Sequence, residues 1–369
     1  MNFKKESILF RNLLLFYISN YLYMNFCTMS KNRIIAMTKI TLLNTLFISL
    51  VFLGTSQTAH AQDPEFSQFY ATPVYTNPAM AGTGQCMGGG RAVINYRNQW
   101  PSLPGTFTTT AFSFDQHFDQ VKGGIGILAM NDVAGEGLLT SQSISAIYSY
   151  QLKVNRKFFM RFGLEGQVMQ RGLDFDKLRF EDQIDATRGF VKPTSEPYIS
   201  TKITSPNFST GILGYTENFY AGFAVHNLIE PVQSFYGDNE AKLPRRYTAH
   251  MGSVIPLDKR NSPNATFSPN ALFMMQAKFT QLNVGFYLNR GPLVTGLWFR
   301  QTFGEYKNAD ALMVLVGFRK DKFKFGYSFD LTVDSKRAAA PGSHEVSAAI
   351  EWCAKKQPRK YKILHCPDF

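Results

Sequence analysis

The chain has 369 residues; only 18% are charged and 14% are aromatic, with 33 Phe and 17 Tyr. So low a charge content departs from the roughly 25% of a soluble domain, and beyond the N-terminus no apolar run approaches the ~20 residues of a spanning helix. The net charge of +12 is scattered over turns and a C-terminal tail with no nucleic-acid module in sight, which excludes nucleic acid as a partner.

In chain order, residues 40–54 (ITLLNTLFISLVFLG) form an apolar core. Lys31, Arg33 and Lys39 precede it and Ala59-His60-Ala61 follows. This is the layout of a secretory signal peptide cut after Ala61, so the mature chain begins at Gln62. A second apolar stretch at 13–26 lies upstream of what such a signal needs, which puts the natural start at Met37, with Met29 as the alternative. Residues 1–61 are therefore read as leader. Cys86, Cys353 and Cys366 remain after cleavage, and an odd count argues against a disulfide scaffold. Pairing of Cys353 with Cys366 in an oxidising periplasm and three free thiols are both open readings.

Residues 62–90 are rich in Pro, Asn and Gly and do not alternate. Phe66, Phe69, Tyr70 and Tyr75 argue against disorder, which is poor in aromatics. The segment is expected to be ordered but irregular, lying in the periplasm or in the lumen of whatever follows. Gly88-Gly89-Gly90 reads as a hinge.

From residue 91 the sequence alternates at period two, so each segment presents one apolar and one polar face. Phe162 and Leu164 oppose Arg161 and Glu165; Phe323, Phe325, Tyr327 and Phe329 oppose Lys322, Lys324, Ser328 and Asp330. The pattern predicts fourteen strands at 91–98, 106–115, 122–130, 138–151, 157–171, 207–216, 218–227, 246–256, 266–277, 279–289, 292–301, 311–318, 322–331 and 344–353. Most have the length that crosses a bilayer when tilted, and an even count suits a single-chain bacterial barrel. The fold class expected is all-β: a transmembrane antiparallel β-barrel over 91–353, with a basic periplasmic tail at 354–369. Closure matters in lipid, where an open edge would leave backbone groups unpaired, and the alternation itself does not show it. The longest connections, at 172–206, 228–245 and 332–343, all fall on one end. Outer-membrane barrels have long outer loops and short periplasmic turns, which orients the N-terminus toward the periplasm.

The chemistry-bearing patterns are few. Ser343-His344-Glu345 does not make a hydrolase, because neighbours on a strand point to opposite sides. No His or Cys spacing suits a metal, and no phosphate-binding glycine loop is present; no cofactor and no enzymatic activity are expected. Arg97 and Trp100 at the end of the first strand are expected at the headgroup level. The loop at 172–206 is acidic early on (Asp174, Asp176, Glu181, Asp182, Asp185) and is the best candidate for holding cargo or plugging the lumen. The tail carries Lys355, Lys356, Arg359, Lys360 and Lys362, read either as a solvated end or as an electrostatic contact with a periplasmic partner.

Several blocks together closely resemble the PorP/SprF family, type IX secretion system outer-membrane proteins of the Bacteroidetes. They are Gln62-Asp63-Pro64, Phe66-Ser67-Gln68, Asn77-Pro78-Ala79, Gly82 and Tyr96-Arg97-Asn98-Gln99-Trp100, then Phe180 with Asp182-Gln183-Ile184-Asp185, Asp330-Leu331-Thr332-Val333, Ser343-His344-Glu345-Val346 and Cys366-Pro367. The resemblance implies an integral outer-membrane location and a role in type IX secretion, often with gliding motility. Its implied partners are periplasmic secretion components and a large secreted adhesin with a C-terminal secretion signal. Asp63, Pro64, Phe66, Asn77, Pro78, Tyr96, Arg97, Asn98, Gln99, Trp100, Lys355, Lys356, Arg359 and Lys360 are the partner-binding candidates. The alternative function is a passive pore or a hydrophobic-ligand transporter, which would need an open or ligand-lined lumen.

Overall fold

The computed structural model describes residues 63–84, 89–103, 105, 107–135, 137–185, 187–195, 201–235, 241–257, 265–304, 311–333 and 342–353. The leader, the basic tail, Cys86 and Cys366 lie outside the described residues. Cys353 is disulfide-bonded.

Fourteen antiparallel strands form the wall: β1 (Gly90–Gln99), β2 (Phe107–Phe118), β3 (Gly123–Ala134), β4 (Leu139–Lys153), β5 (Phe159–Leu173), β6 (Lys202–Tyr215), β7 (Phe219–His226), β8 (Arg246–Ser253), β9 (Ala265–Gln276), β10 (Phe279–Arg290), β11 (Leu293–Gly304), β12 (Ala311–Lys320), β13 (Phe323–Thr332) and β14 (Ser343–Trp352). Each pairs with its neighbour in sequence, and β14 closes the ring on β1 with Ser343 opposite Gln99 and Trp352 opposite Gly90. Closure removes the edges that lipid cannot solvate.

Alternation decides what each face meets. Phe162, Leu164, Phe323 and Phe325 are exposed on the outside, Leu164 to 62%, while Arg161, Glu165 and Lys324 are buried inside. For a soluble protein this would be inside out. For a barrel in lipid it is the stable arrangement, with an apolar belt outward and a polar lumen.

The fourteen strands expected from the alternation are the fourteen observed, with one boundary well off. β6 begins at Lys202, not near 207. Residues 202–206 (KITSP) carry a proline, which reads as a strand breaker. However, β6 pairs with β7 only from Thr210 to Tyr215. The Phe208 carbonyl, which shares its side with Pro206, accepts from Leu228 N at 2.9 Å, so that side faces β7 and a loop. The missing N–H of Pro206 therefore interrupts no ladder.

Inside the wall lies the segment 63–83. It carries one short helix, α1 (Pro73–Thr76), then a 3-10 turn at Pro78–Met80. Proline is suited to both first turns, where its missing N–H would have no partner anyway. Asn77 caps the second turn, its Oδ1 accepting from Ala79 N at 2.9 Å.

The lumen plug and its outer vestibule as candidate functional site

Residues 63–83 fill the lumen and bind the wall at four levels. At the long-loop end, Asp63 N donates to Gln276 Oε1 at 3.1 Å, and Asn227 Nδ2 donates to Asp63 Oδ2 at 2.9 Å. Arg246 sits 3.6 Å from the same carboxylate and 4.4 Å above the Tyr75 ring. The Tyr75 hydroxyl donates to the Pro64 carbonyl.

Next comes an ionic knot. Arg97 reaches Asp330 at 2.9 Å and Glu345 at 3.2 Å, all three buried. Glu345 accepts from Ser67 N at 2.6 Å, Gln68 N at 3.1 Å and Asn95 Nδ2 at 2.8 Å. Ser67 Oγ donates to Asp330 at 2.5 Å, and Ser347 Oγ donates to Gln68 at 2.6 Å. Charge-assisted bonds of this kind are about twice as strong as neutral ones.

Deeper in, Phe69 packs on Trp298 with ring centroids 5.3 Å apart, and Tyr70 faces Tyr220, Tyr287 and Trp298 at about 6 Å. The turn that follows is pressed against the wall itself. Asn77 Nδ2 donates to the Ile212 carbonyl at 3.1 Å and lies 3.0 Å from His250 Nε2. A Cβ added to Gly163 would lie 2.1 Å from Ala79 N, and one on Gly211 2.0 Å from Asn77 Oδ1. Only glycine leaves room there. At the short-turn end, Gly82 N donates to Asp115 at 2.7 Å, Arg91 pairs with Asp115 at 2.7 Å, and Ser149 Oγ and Arg161 donate to the Ala81 carbonyl.

Above the plug, at the long-loop end, an open-mouthed cavity lies between β3–β6, Asp63 and residues 231–233. Ser, Gln and Met side chains line it, with Asp132, Glu165, Arg171, His226 and Arg246. In the long connection after β5, residues 174–185 and 187–195 fold on their own carboxylates. Asp182 accepts from Ser195 N at 2.6 Å, and this bond, with those from Ser195 and Thr194 hydroxyls, holds its pKa below the usual carboxylate range.

The partner-binding candidates are dispersed by this arrangement. Asp63 and Pro64 line the vestibule, Phe66 packs edge-on to Tyr75 at 5.4 Å, and Asn77 and Pro78 are buried against the wall. Tyr96 faces outward, 45% exposed. Asn98 and Gln99 are half-buried at the end of β1. Trp100 ends the strand at φ 56°, its N–H on the Gly342 carbonyl and its ring edge-on to Phe107. Lys355, Lys356, Arg359 and Lys360 lie outside the described residues. Arg97 corrects the expectation of a headgroup contact: in phase with Val93 and Asn95 it points into the lumen, where two carboxylates await it. His344 points out, 2.8 Å from the Tyr327 hydroxyl, while Ser343 and Glu345 point in, so the three form no triad. Asp115, Arg161, Arg246, Asp330 and Glu345 were not picked out as site residues. Their signal was present: each is a charge on the lumen-facing phase of a strand.

The model of the type IX secretion system membrane protein PorP/SprF matches residues 58–350. The chain belongs to the PorP/SprF family. A closed barrel with an apolar belt, in this family, is an integral outer-membrane protein and a component of type IX secretion; neither fold nor family is that of an enzyme class. By sequence, no curated protein matches the chain. Among solved structures, this PorP/SprF barrel is similar to the toluene transporters TbuX of Ralstonia pickettii and TodX of Pseudomonas putida. TbuX is 10% identical, covering 80% of this chain and 94% of that one at a TM-score of 0.43. TodX is 7% identical, covering 81% and 95% at 0.44. A FadL homologue of Pseudomonas aeruginosa is 13% identical, covering 79% and 97% at 0.39.

Proposed function

We propose that this barrel aids the secretion or surface anchoring of a large gliding-type adhesin that carries a C-terminal secretion signal, and that it does so as a plugged docking protein. The observation that supports the reading is the filled lumen: a segment tied to the wall by buried ion pairs and aromatic packing occupies the space that passive diffusion would need. What remains for a partner is the outer end, where the vestibule lies beside residues 227 and 231–233. In a cell with two membranes, the periplasmic face and its basic tail are left to the secretion machinery.

Deletion of the gene should abolish surface display of one giant protein and leave small-solute uptake unchanged. The purified barrel in a planar bilayer should show no steady conductance. Steady open-channel currents from the intact protein, together with normal surface display in the deletion strain, would establish the passive pore in its place.

A further inference from the structure

The vestibule holds a carboxylate that the plug does not use. Asp115, Asp330, Glu345 and Asp63 each have an arginine beside them. Glu165 is equally buried, at 6% exposure, yet forms no ion pair with an arginine or lysine among the described residues. Arg246 contacts Asp63 and Tyr75, with Glu165 within its electrostatic reach but beyond ion-pair distance, and Arg171 donates to Gln233. Of the charged groups on the cavity wall, three carboxylates (Asp63, Asp132, Glu165) face two guanidiniums (Arg171, Arg246).

The neighbour of Glu165 is His226, whose Nδ1 lies 3.9 Å from Oε2. His226 Nε2 is 3.3 Å from the Thr76 carbonyl oxygen. A carbonyl only accepts, so Nε2 carries the ring proton and Nδ1 of the neutral ring is a bare acceptor. Two acceptors thus face each other across a gap that opens on the cavity, with Ser209 on the same wall. One nitrogen donor fits within hydrogen-bond reach of both acceptors. One imidazole and one carboxylate are too few ligands for zinc. Met130, Met169, Ile203 and Val232 on the walls suit the methylene stem of a long amine, which seeks apolar cover below a charged head.

We infer that this cavity binds a primary alkylammonium group, its nitrogen between Glu165 and His226 Nδ1 and its stem along the apolar walls. The group enters from the long-loop end, as a lysine side chain of a polypeptide or as a free amine. The inference does not depend on the adhesin reading.

The test uses the mature full-length barrel in detergent and isothermal titration with Nα-acetyl-lysine amide, pentylamine and the neutral Nα-acetyl-norleucine amide. Both amines should bind and the norleucine compound should not; the tighter of the two amines identifies a peptidyl or a free source. Glu165→Gln, which mimics a merely protonated carboxyl, should weaken amine binding at least tenfold. Equal binding by Glu165→Gln, or by the norleucine compound, overturns the inference. Gln167→Lys guards against a misfolded first variant. It places a tethered ammonium two residues along the same lumen face, and should abolish binding; unchanged affinity in that variant overturns the inference as well.

Discussion

Removal of the Arg97 guanidinium tests whether the plug is held by charge. In Arg97→Met, Asp330 keeps Arg300 at 3.5 Å. Glu345 keeps three N–H donors but loses its only ion-pair partner among the described residues. Breaking a buried pair on one side costs about 3–5 kcal/mol, most of it the stranded charge. The donors and Arg300 that remain put this case at the lower end, about 3 kcal/mol. Glu345→Gln removes the other charge and turns an amide toward Ser67 N and Gln68 N, leaving donors face to face at about 2 kcal/mol. If the two groups matter to each other, the double variant loses less than the sum of the singles, by about 2 kcal/mol, within the range for contacting pairs. The assay is urea unfolding of the barrel in micelles, followed by tryptophan emission. Trp298, buried against Phe69 and Tyr70 of the plug, reports on it directly. Additivity within about 0.5 kcal/mol would falsify the claim that charge seats the plug.

Glycine spacing gives a paired prediction on β5. Gly163→Ala drives a Cβ into the Ala79 backbone and should cost about 1–3 kcal/mol by overpacking, whereas Gly166→Ala, with its nearest neighbour at 3.8 Å, should be neutral or slightly stabilising; equal melting of the two barrels would refute the close approach. Deletion of residues 63–83 behind an intact signal peptide should produce steady conductance that the full chain lacks, and a silent deletion variant would mean that something else blocks the lumen. For Asp182 the depressed pKa fixes the sign: its contribution to loop order is present above the ordinary carboxylate pKa and is lost as pH falls through the lower folded value. Pepsin cleavage within 178–195 should therefore rise as pH drops from about 4 toward 2, and Asp182→Asn should show the higher cleavage already at the upper end; a rate flat with pH in the wild type contradicts this.

Much of the wall was legible because one physical rule writes it twice. Period-two alternation sets both the strand and its two solvents, so Phe323, Phe325 and Tyr327 against Lys324 and Ser328 gave strand, length and facing together. The exception is β6, which starts five residues before the expected 207: Pro206 would break a ladder only if there were one on that side. The plug was another matter. Its aromatics argued for order, but their partners, Trp298 for Phe69 and Tyr220 and Tyr287 for Tyr70, lie more than a hundred residues away in sequence, and no local period encodes such contacts. Arg97 was misjudged for a similar reason. At a strand end the headgroup and the lumen both welcome a guanidinium, and only the phase shared with Val93 and Asn95 separates them.

The direction of the plug constrains how the lumen could ever open. Asp63 meets Gln276 and Asn227 at the long-loop end, and Gly82 meets Asp115 at the other, where β1 then begins at Gly90. The segment therefore crosses the lumen once, in the opposite sense to β1, and its covalent tie is at the short-turn end. With the long loops outside, as in outer-membrane barrels generally, its first residues reach the outer mouth and the tie is periplasmic. Any opening of the lumen has to break the contacts of Asp63, Ser67 and Asn77, and the close approach at Gly163 and Gly211 adds backbone packing to them. A partner at the long-loop mouth meets Asp63 and Pro64 of the plug beside the vestibule.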